Sequence, residues 1–272
     1  MPLRSCILVD MRRALILTLF AARPLLAGYV GRELVLPIIG RAASADRVYQ
    51  TAVWITNVSD RPATATLSFL EAGHANPSPR QIHIQLPRRG TRVFNPLDAP
   101  LGALRIASDA DLLASARIST IDSSTSCAAI PARFAVSTGQ SSTLQGYLSS
   151  PGQYKLYVVE ISGEPLAYSV AISDTSGRIR GEKRLFLDRY DESRLDLTQM
   201  FPDVEGTVVR IEGTNGSGKM IAMGLQRTPG SHDASAFEMS FPAPSRFALS
   251  WMEGLTYVVV GLAVIVAALI RR

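Results

Sequence analysis

The chain has 272 residues, 47% of them apolar, with 28 Lys and Arg against 23 Asp and Glu. That length and apolar content suffice for one large or two modest cores and exclude a disordered chain. The positive balance is terminal: without Arg4, Arg12, Arg13, Arg23, Arg271, Arg272, Asp10 and Glu253, 22 basic residues face 21 acidic ones, too even for a nucleic-acid-binding surface.

Residues 1–27 read as an export signal. Met11-Arg12-Arg13 precedes the apolar run Ala14 to Ala22, and Leu25-Leu26-Ala27 offers a small residue before a cleavage point. Met11 is an alternative start. Arg23 shortens the apolar run, and the alternative is an uncleaved anchor. With Cys6 in this segment, Cys127 is the lone thiol of the exported part, so no internal disulfide is available. Cys127 has no His or second Cys beside it in sequence and reads as a small packing residue.

From residue 28 onward the pattern is short alternating runs punctuated by Gly, Pro, Asn and Asp. Thr64-Ala65-Thr66-Leu67-Ser68-Phe69 and Ile82-His83-Ile84-Gln85-Leu86 alternate strictly, as half-buried antiparallel strands do. No helical period is sustained between 28 and 250, which makes the fold class all-β. The chain also matches itself. Trp54 to Pro62 aligns with Tyr157 to Pro165, Leu67 and Phe69 with Val170 and Ile172, Gly102 to Ile106 with Thr207 to Ile211, and Leu113-Ala114 with Ile221-Ala222. Two modules of about 100 residues follow, at 28–121 and 153–241, each with six or seven strands, as an immunoglobulin-like sandwich or a jelly roll has. Residues 122–152, rich in Ser, Thr, Gly and Gln, join them, with Ile130-Pro131-Ala132 and Leu144-Gln145-Gly146-Tyr147 suited to packing.

Residues 242–254 read as a linker to the apolar stretch Leu255 to Ile270, which carries no charge, follows Trp251 and ends at Arg271-Arg272. As a helix it covers roughly 24 Å, enough for a ~30 Å hydrocarbon core only with flanking residues and snorkelling arginines. The positive-inside rule leaves a two-residue tail in the cytoplasm and residues 28 to 250 outside. Phe241-Pro242-Ala243-Pro244 before the helix also fits a processed sorting signal, against a permanent anchor.

Leu34 to Gly40, Tyr49 to Ser59 with its Thr-x-x-Trp-x-x-Asn pattern, and Gly102 to Ser108 resemble tandem β-sandwich repeats of uncharacterised secreted bacterial proteins of acidobacterial type. The resemblance covers most of residues 33 to 227 and implies an envelope location without an activity. The second copy has Tyr157 and Glu160 in place of the Trp and Asn.

Several patterns suggest chemistry. Gly213-Thr214-Asn215-Gly216-Ser217-Gly218-Lys219 has the spacing of a phosphate-binding loop, but Met220 stands where Ser or Thr holds magnesium and a strand-like run follows where a helix is required. A glycine-rich hairpin turn is expected, with the plain turn Ser108 to Asp111 as its counterpart in the first module, and no nucleotide. His74, His83 and His232 have no metal-ligand spacing. Asp188, Asp191, Glu192 and Asp196 read as a charged loop, with a weak calcium site as the alternative. Trp54 is expected in the first core, the alternative being a platform on which a sugar stacks. Asn57-Val58-Ser59 and Asn215-Gly216-Ser217 are formal glycosylation sequons that read as turns. No catalytic, cofactor-binding or metal-ligating residue is assigned. The expected function is a membrane-anchored binding, adhesion or scaffold module for an envelope protein or surface polymer, the alternative being a hydrolase whose site assembles only in three dimensions.

Overall fold

The computed structural model describes residues 29–44, 47–120, 124–148, 153–227 and 234–244. The signal segment and Leu255 to Ile270 lie outside them. Among the described residues no helix is long and apolar enough to cross a membrane. The all-β expectation holds: the helical pieces described are α1 (Leu197–Met200) and a 3-10 turn at Ala132–Phe134.

The N-terminal half runs β1 (Val30–Ile39), β2 (Ala42–Ser44), β3 (Arg47–Asn57), β4 (Ala63–Glu71), β5 (Arg80–Leu86), β6 (Thr91–Phe94), β7 (Gly102–Ser119), β8 (Ser124–Ala128) and β9 (Ile130–Pro131). Strand β7, 18 residues long, organises it. Its first part lies between β4 and β1, with Ile106 opposite both Leu67 and Leu34. Its last part lies between β3 and β8, with Ile118 opposite both Thr51 and Thr125. Even-numbered positions from Leu104 and Ile106 through Ala110, Leu112, Ala114 and Ala116 are buried, so one alternating run serves both layers of the sandwich. The expected turn at Ser108 to Asp111 is strand. Ser108 Oγ accepts from Ala110 N–H and donates to the Thr64 carbonyl, holding the bend without breaking the ladder.

The C-terminal half runs β10 (Val136–Ser137), β11 (Gln140–Leu148), β12 (Gln153–Glu160), β13 (Leu166–Ser173), β14 (Ile179–Leu187), β15 (Glu192–Asp196), β16 (Gly206–Gly216), β17 (Lys219–Arg227), β18 (Ala234–Glu238) and β19 (Ala243–Pro244). One sheet has the order β14-β13-β16-β11-β19; the other has β15-β12-β17, with β10 and β18 on the far side of β17. The segment read as a connection therefore holds β8 and β9 of one half and β10 and β11 of the other. Apart from the buried Ser142, their Ser, Thr and Gln residues occupy exposed or half-buried positions of strands, which composition alone reads as linker.

The pairing register repeats between the halves. Asn57 faces Leu112 and Thr56 faces Leu113, as Glu160 faces Met220 and Val159 faces Ile221. Leu67 faces Ile106 as Val170 faces Ile211. The short β9 crosses β1 at Leu34 and Val35 as β19 crosses β11 at Gln140 and Ser141. The first two of these correspondences join residues that the self-alignment of the sequence puts in register; the third joins strands outside it. The strands beyond six or seven per half are mostly two to five residues long and lie at sheet edges, too short to show a period.

The halves dock closely. Every residue of β1 from Leu34 to Ile39 is buried, an unbroken apolar run because one face meets its own core and the other meets β12 and β17. The loop after β4 sits on the loop before β15: Gly73 N–H donates to the Glu192 carbonyl at 3.0 Å, Asn76 N–H to the Arg189 carbonyl at 3.0 Å, and the buried Asn76 amide to the Tyr190 carbonyl at 2.9 Å. Thr125 of β8 donates to the Ala234 carbonyl of β18. Phe134 stands between Tyr29 and Phe241, with ring centroids 5.1 and 4.3 Å away.

Candidate functional site

Where β12 ends, the chain must turn sharply to enter β13, and a buried side chain organises that turn. Glu160 has no exposed surface. Its Oε1 accepts from Ser162 N–H (2.7 Å), the Ser162 hydroxyl (2.5 Å) and Lys219 N–H (3.1 Å), and its Oε2 accepts from Gly163 N–H (2.8 Å) and Tyr190 N–H (3.0 Å). Asn57, also fully buried, does the same for the other half: its Oδ1 accepts from Ser59 N–H and hydroxyl, and its amide donates to the Arg61 and Pro87 carbonyls. The two residues that broke the repeat motif are thus alternative solutions to one turn. The Asn57 amide is consumed by this role, so the sequon at Asn57 is structural.

The glycine-rich segment is corrected in one respect. A strand follows Lys219 as expected, but the turn is not a hairpin, because β16 pairs with β13 and β11 while β17 pairs with β12, β10 and β18. The chain passes from one sheet to the other here. Gly216 has φ +106°, and a Cβ on Gly218 meets the Glu164 carbonyl oxygen at 2.2 Å, so this crossing requires glycine. The backbone N–H of Lys219 is spent on Glu160 and Ser162 rather than pointing at a phosphate. Lys219→Ala is expected to change stability by no more than about 0.5 kcal/mol, checked by urea unfolding, and wild type is expected to show no saturable Mg-ATP binding in calorimetry.

Beside this turn, at the junction of the halves, an open cleft of about 430 Å³ is lined by Arg32 and Glu33 of β1, Arg105 of β7, Arg133 of the 3-10 turn, and Ser162 and Lys219. Pro131, Ala132 and Ile161 supply its apolar wall. Four cations thus face one carboxylate. Arg105 Nη2 lies 3.9 Å from Glu33 Oε1, and Arg32 Nε lies 3.7 Å from Asp111 Oδ1 outside the cleft lining, both loose pairs. Among the described residues Arg133 and Lys219 have no carboxylate within ion-pair distance, and the Arg133 guanidinium lies 5.0 Å from the Phe134 ring centre. The cleft exists because β1 and β7 on one side and the β12–β13 and β16–β17 turns on the other come together only on docking.

The histidines are not gathered there. His83 on β5 hydrogen-bonds Thr66 at 3.0 Å, His74 lies 3.9 Å from Glu71, and His232 is outside the described residues. Among the described residues no three His, Cys, Asp or Glu groups could hold a metal ion. The acidic cluster is split by the fold. Asp196 caps α1 through Gln199 N–H, Asp188 accepts from Arg189 N–H, and Glu192 is buried against Arg194 with Nε 3.2 Å from each carboxylate oxygen. Trp54 is also displaced from its expected place. Val53 and Ile55 take the core positions of β3, which turns Trp54 onto the outer face opposite Val93 and Ser115. Cys127 is buried, and burial pushes its thiol up to about 12, which leaves it un-ionised and unreactive.

Burial likewise raises the Glu192 carboxyl to about 7, against the pull of Arg194. In the unfolded chain this group ionises near 4.5. Between these values the folded state holds a proton that the unfolded state has lost, so the contribution of this group to stability is greatest below pH 4.5 and falls as pH rises to 7. Glu192→Gln is expected to flatten the stability–pH curve in this window and to recover about 2 kcal/mol at pH 8, measured by urea titration. Asp191, also raised by burial, leaves a smaller residual slope.

No family model matches the chain, and no curated protein or solved structure is similar to it. The cleft and the docking that forms it are what this molecule offers to a functional reading.

Proposed function

We propose that this chain is an extracytoplasmic, single-pass membrane protein whose two immunoglobulin-like sandwiches hold a partner in the cleft between them and carry out no chemistry on it. The observation that carries this reading is the docking itself. A flexible pair of sandwiches needs no buried Asn76 and no twice-covered β1, whereas a preformed cleft between rigid halves binds without a large ordering cost. The one hydroxyl in the cleft, Ser162, is committed to Glu160.

The finer assignments rest on separate grounds. Strand orders β12-β17-β18 and β13-β16-β11 are those of C-F-G and D-E-B in immunoglobulin sheets. Export and anchoring rest on the signal-like start, the apolar run Leu255 to Ile270 and Arg271-Arg272. The resemblance to secreted tandem sandwich repeats agrees with both.

Two measurements test the reading. Protease added to intact spheroplasts should digest residues 28 to 250, and complete protection rejects the topology. Immobilised full-length chain in detergent should retain a specific component of the native envelope, and Ala132→Trp, which fills the cleft without altering its charge, should release it. Retention unchanged by that substitution rejects the cleft as the binding surface.

A further inference from the structure

The repeat itself shows what the cleft lacks. Arg105 on β7 and Arg210 on β16 are equivalent residues, since their inward neighbours Ile106 and Ile211 face the equivalent Leu67 and Val170. Both point away from the core, and in both the Nε is buried without a hydrogen-bond partner. Arg210 has its own carboxylate two residues on, with Nη2 2.7 Å from Glu212 Oε2. At the equivalent position beyond Arg105 the chain has Ala107. The nearest carboxylate is Glu33, at 3.9 Å and half exposed. Arg105 therefore presents to the cleft a guanidinium that its twin closes internally. A second exchange points the same way. Val58 N–H donates to the Asp111 carbonyl in one half as Ile161 N–H donates to the Lys219 carbonyl in the other, so a lysine stands at the cleft where its counterpart is an aspartate.

We propose that the cleft binds the carboxylates of an acidic peptide segment on a partner protein, with Arg105 receiving one carboxylate in the manner of Glu212 on Arg210, and Arg133, Lys219 and Arg32 receiving its neighbours. This rests on the reading of the protein as a binding module and names the ligand of that site. A guanidinium directs its N–H groups along fixed lines in its plane, as Arg210 Nη2 does at 2.7 Å from Glu212 Oε2, which a lysine in the same place does not. A peptide is favoured over an acidic polysaccharide because the cleft lining is Arg, Lys, Glu, Ser and small apolar residues, without an aromatic ring on which a sugar face stacks. Pro131, Ala132 and Ile161 fit the aliphatic stems of Glu side chains instead.

The test uses full-length chain in detergent, titrated in low salt with an N-acetylated hexaglutamate, with hexaglutamine and with a galacturonate hexamer. Saturable binding of hexaglutamate alone is expected. Arg105→Ala and Arg133→Ala are each expected to weaken it about tenfold or more, and Arg105→Lys to restore only part of the loss. Arg133 lies on a surface turn, so its variant keeps the test sound if Arg105→Ala disturbs the fold. No saturable binding of hexaglutamate, equal binding of hexaglutamine, or affinities unchanged in both alanine variants overturns the proposal. Tighter binding of the galacturonate hexamer replaces the peptide by a polysaccharide. If Ala132→Trp releases an envelope component while hexaglutamate never binds, the module reading stands and the acidic ligand falls.

Discussion

Replacing Glu160 by alanine is expected to lower the unfolding free energy by about 4 kcal/mol, since the substitution leaves the backbone N–H groups of Ser162, Gly163 and Tyr190 without their acceptor and that of Lys219 with the Ser162 hydroxyl alone. A buried unsatisfied donor costs roughly 1–3 kcal/mol, and water admitted to the vacated space recovers part of it. The loss spreads beyond one turn, because these donors belong to the β12–β13 turn, the β14–β15 loop and the start of β17. Tyr190, at φ +50°, is held in a left-handed conformation there, so releasing its N–H also loosens the loop that receives Asn76 from the other half. Glu160→Gln, which keeps the shape and one acceptor oxygen, should lose about half as much. Urea unfolding of the purified variants decides this, and a loss below about 1 kcal/mol for the alanine variant sinks the account.

A comparable effect is expected at Gly224. This residue of β17 lies under the fully buried ring of Tyr154, and a Cβ placed on it meets Tyr154 Oη at 2.0 Å and Cζ at 2.5 Å. The ring cannot retreat, because its hydroxyl donates to the Gln145 carbonyl at 3.1 Å and its face lies 6.2 Å from the Phe237 ring, centre to centre. Gly224→Val is expected to cost about 3 kcal/mol or to abolish soluble expression. Tyr154→Ala alone should cost about 3–5 kcal/mol through the cavity it leaves. The two defects occupy the same space, so Gly224→Val combined with Tyr154→Ala should be more stable than the sum of the single effects by at least about 1 kcal/mol. Additive losses mean that the contact does not limit packing.

The alternating runs at Thr64 to Phe69 and Ile82 to Leu86 are strands because one face of each meets the core, and period-two patterning records that directly. The self-alignment was equally legible, since equivalent residues must keep the same inward phase to face equivalent partners. Trp54 shows the limit of that reasoning. Its strand was evident, but its phase is set by Val53 and Ile55, and a large aromatic does not announce that it lies on the outer face. The connection at 122–152 misled in the opposite way. Gln140 to Leu148 alternates weakly, with Ser142 and Leu144 inward, and Ser142 is satisfied by Ser240, nearly a hundred residues later.

The candidate site was illegible for a related reason. Arg32, Arg105, Arg133 and Lys219 are scattered over 188 positions of sequence and none belongs to a motif in the role it plays. Lys219 was visible only as part of a phosphate-loop pattern whose geometry the structure does not supply. The sequence by itself determined the all-β class, the longer alternating strands and the correspondence of the halves, because burial across a sheet is a local, periodic demand on side chains. The tertiary structure alone decided that β7 serves two layers, that Glu160 is the buried hub of three turns, and that the halves lock into a basic cleft. Docking is decided by single contacts such as Asn76 on the Tyr190 carbonyl, and a contact between distant residues leaves no period along the chain.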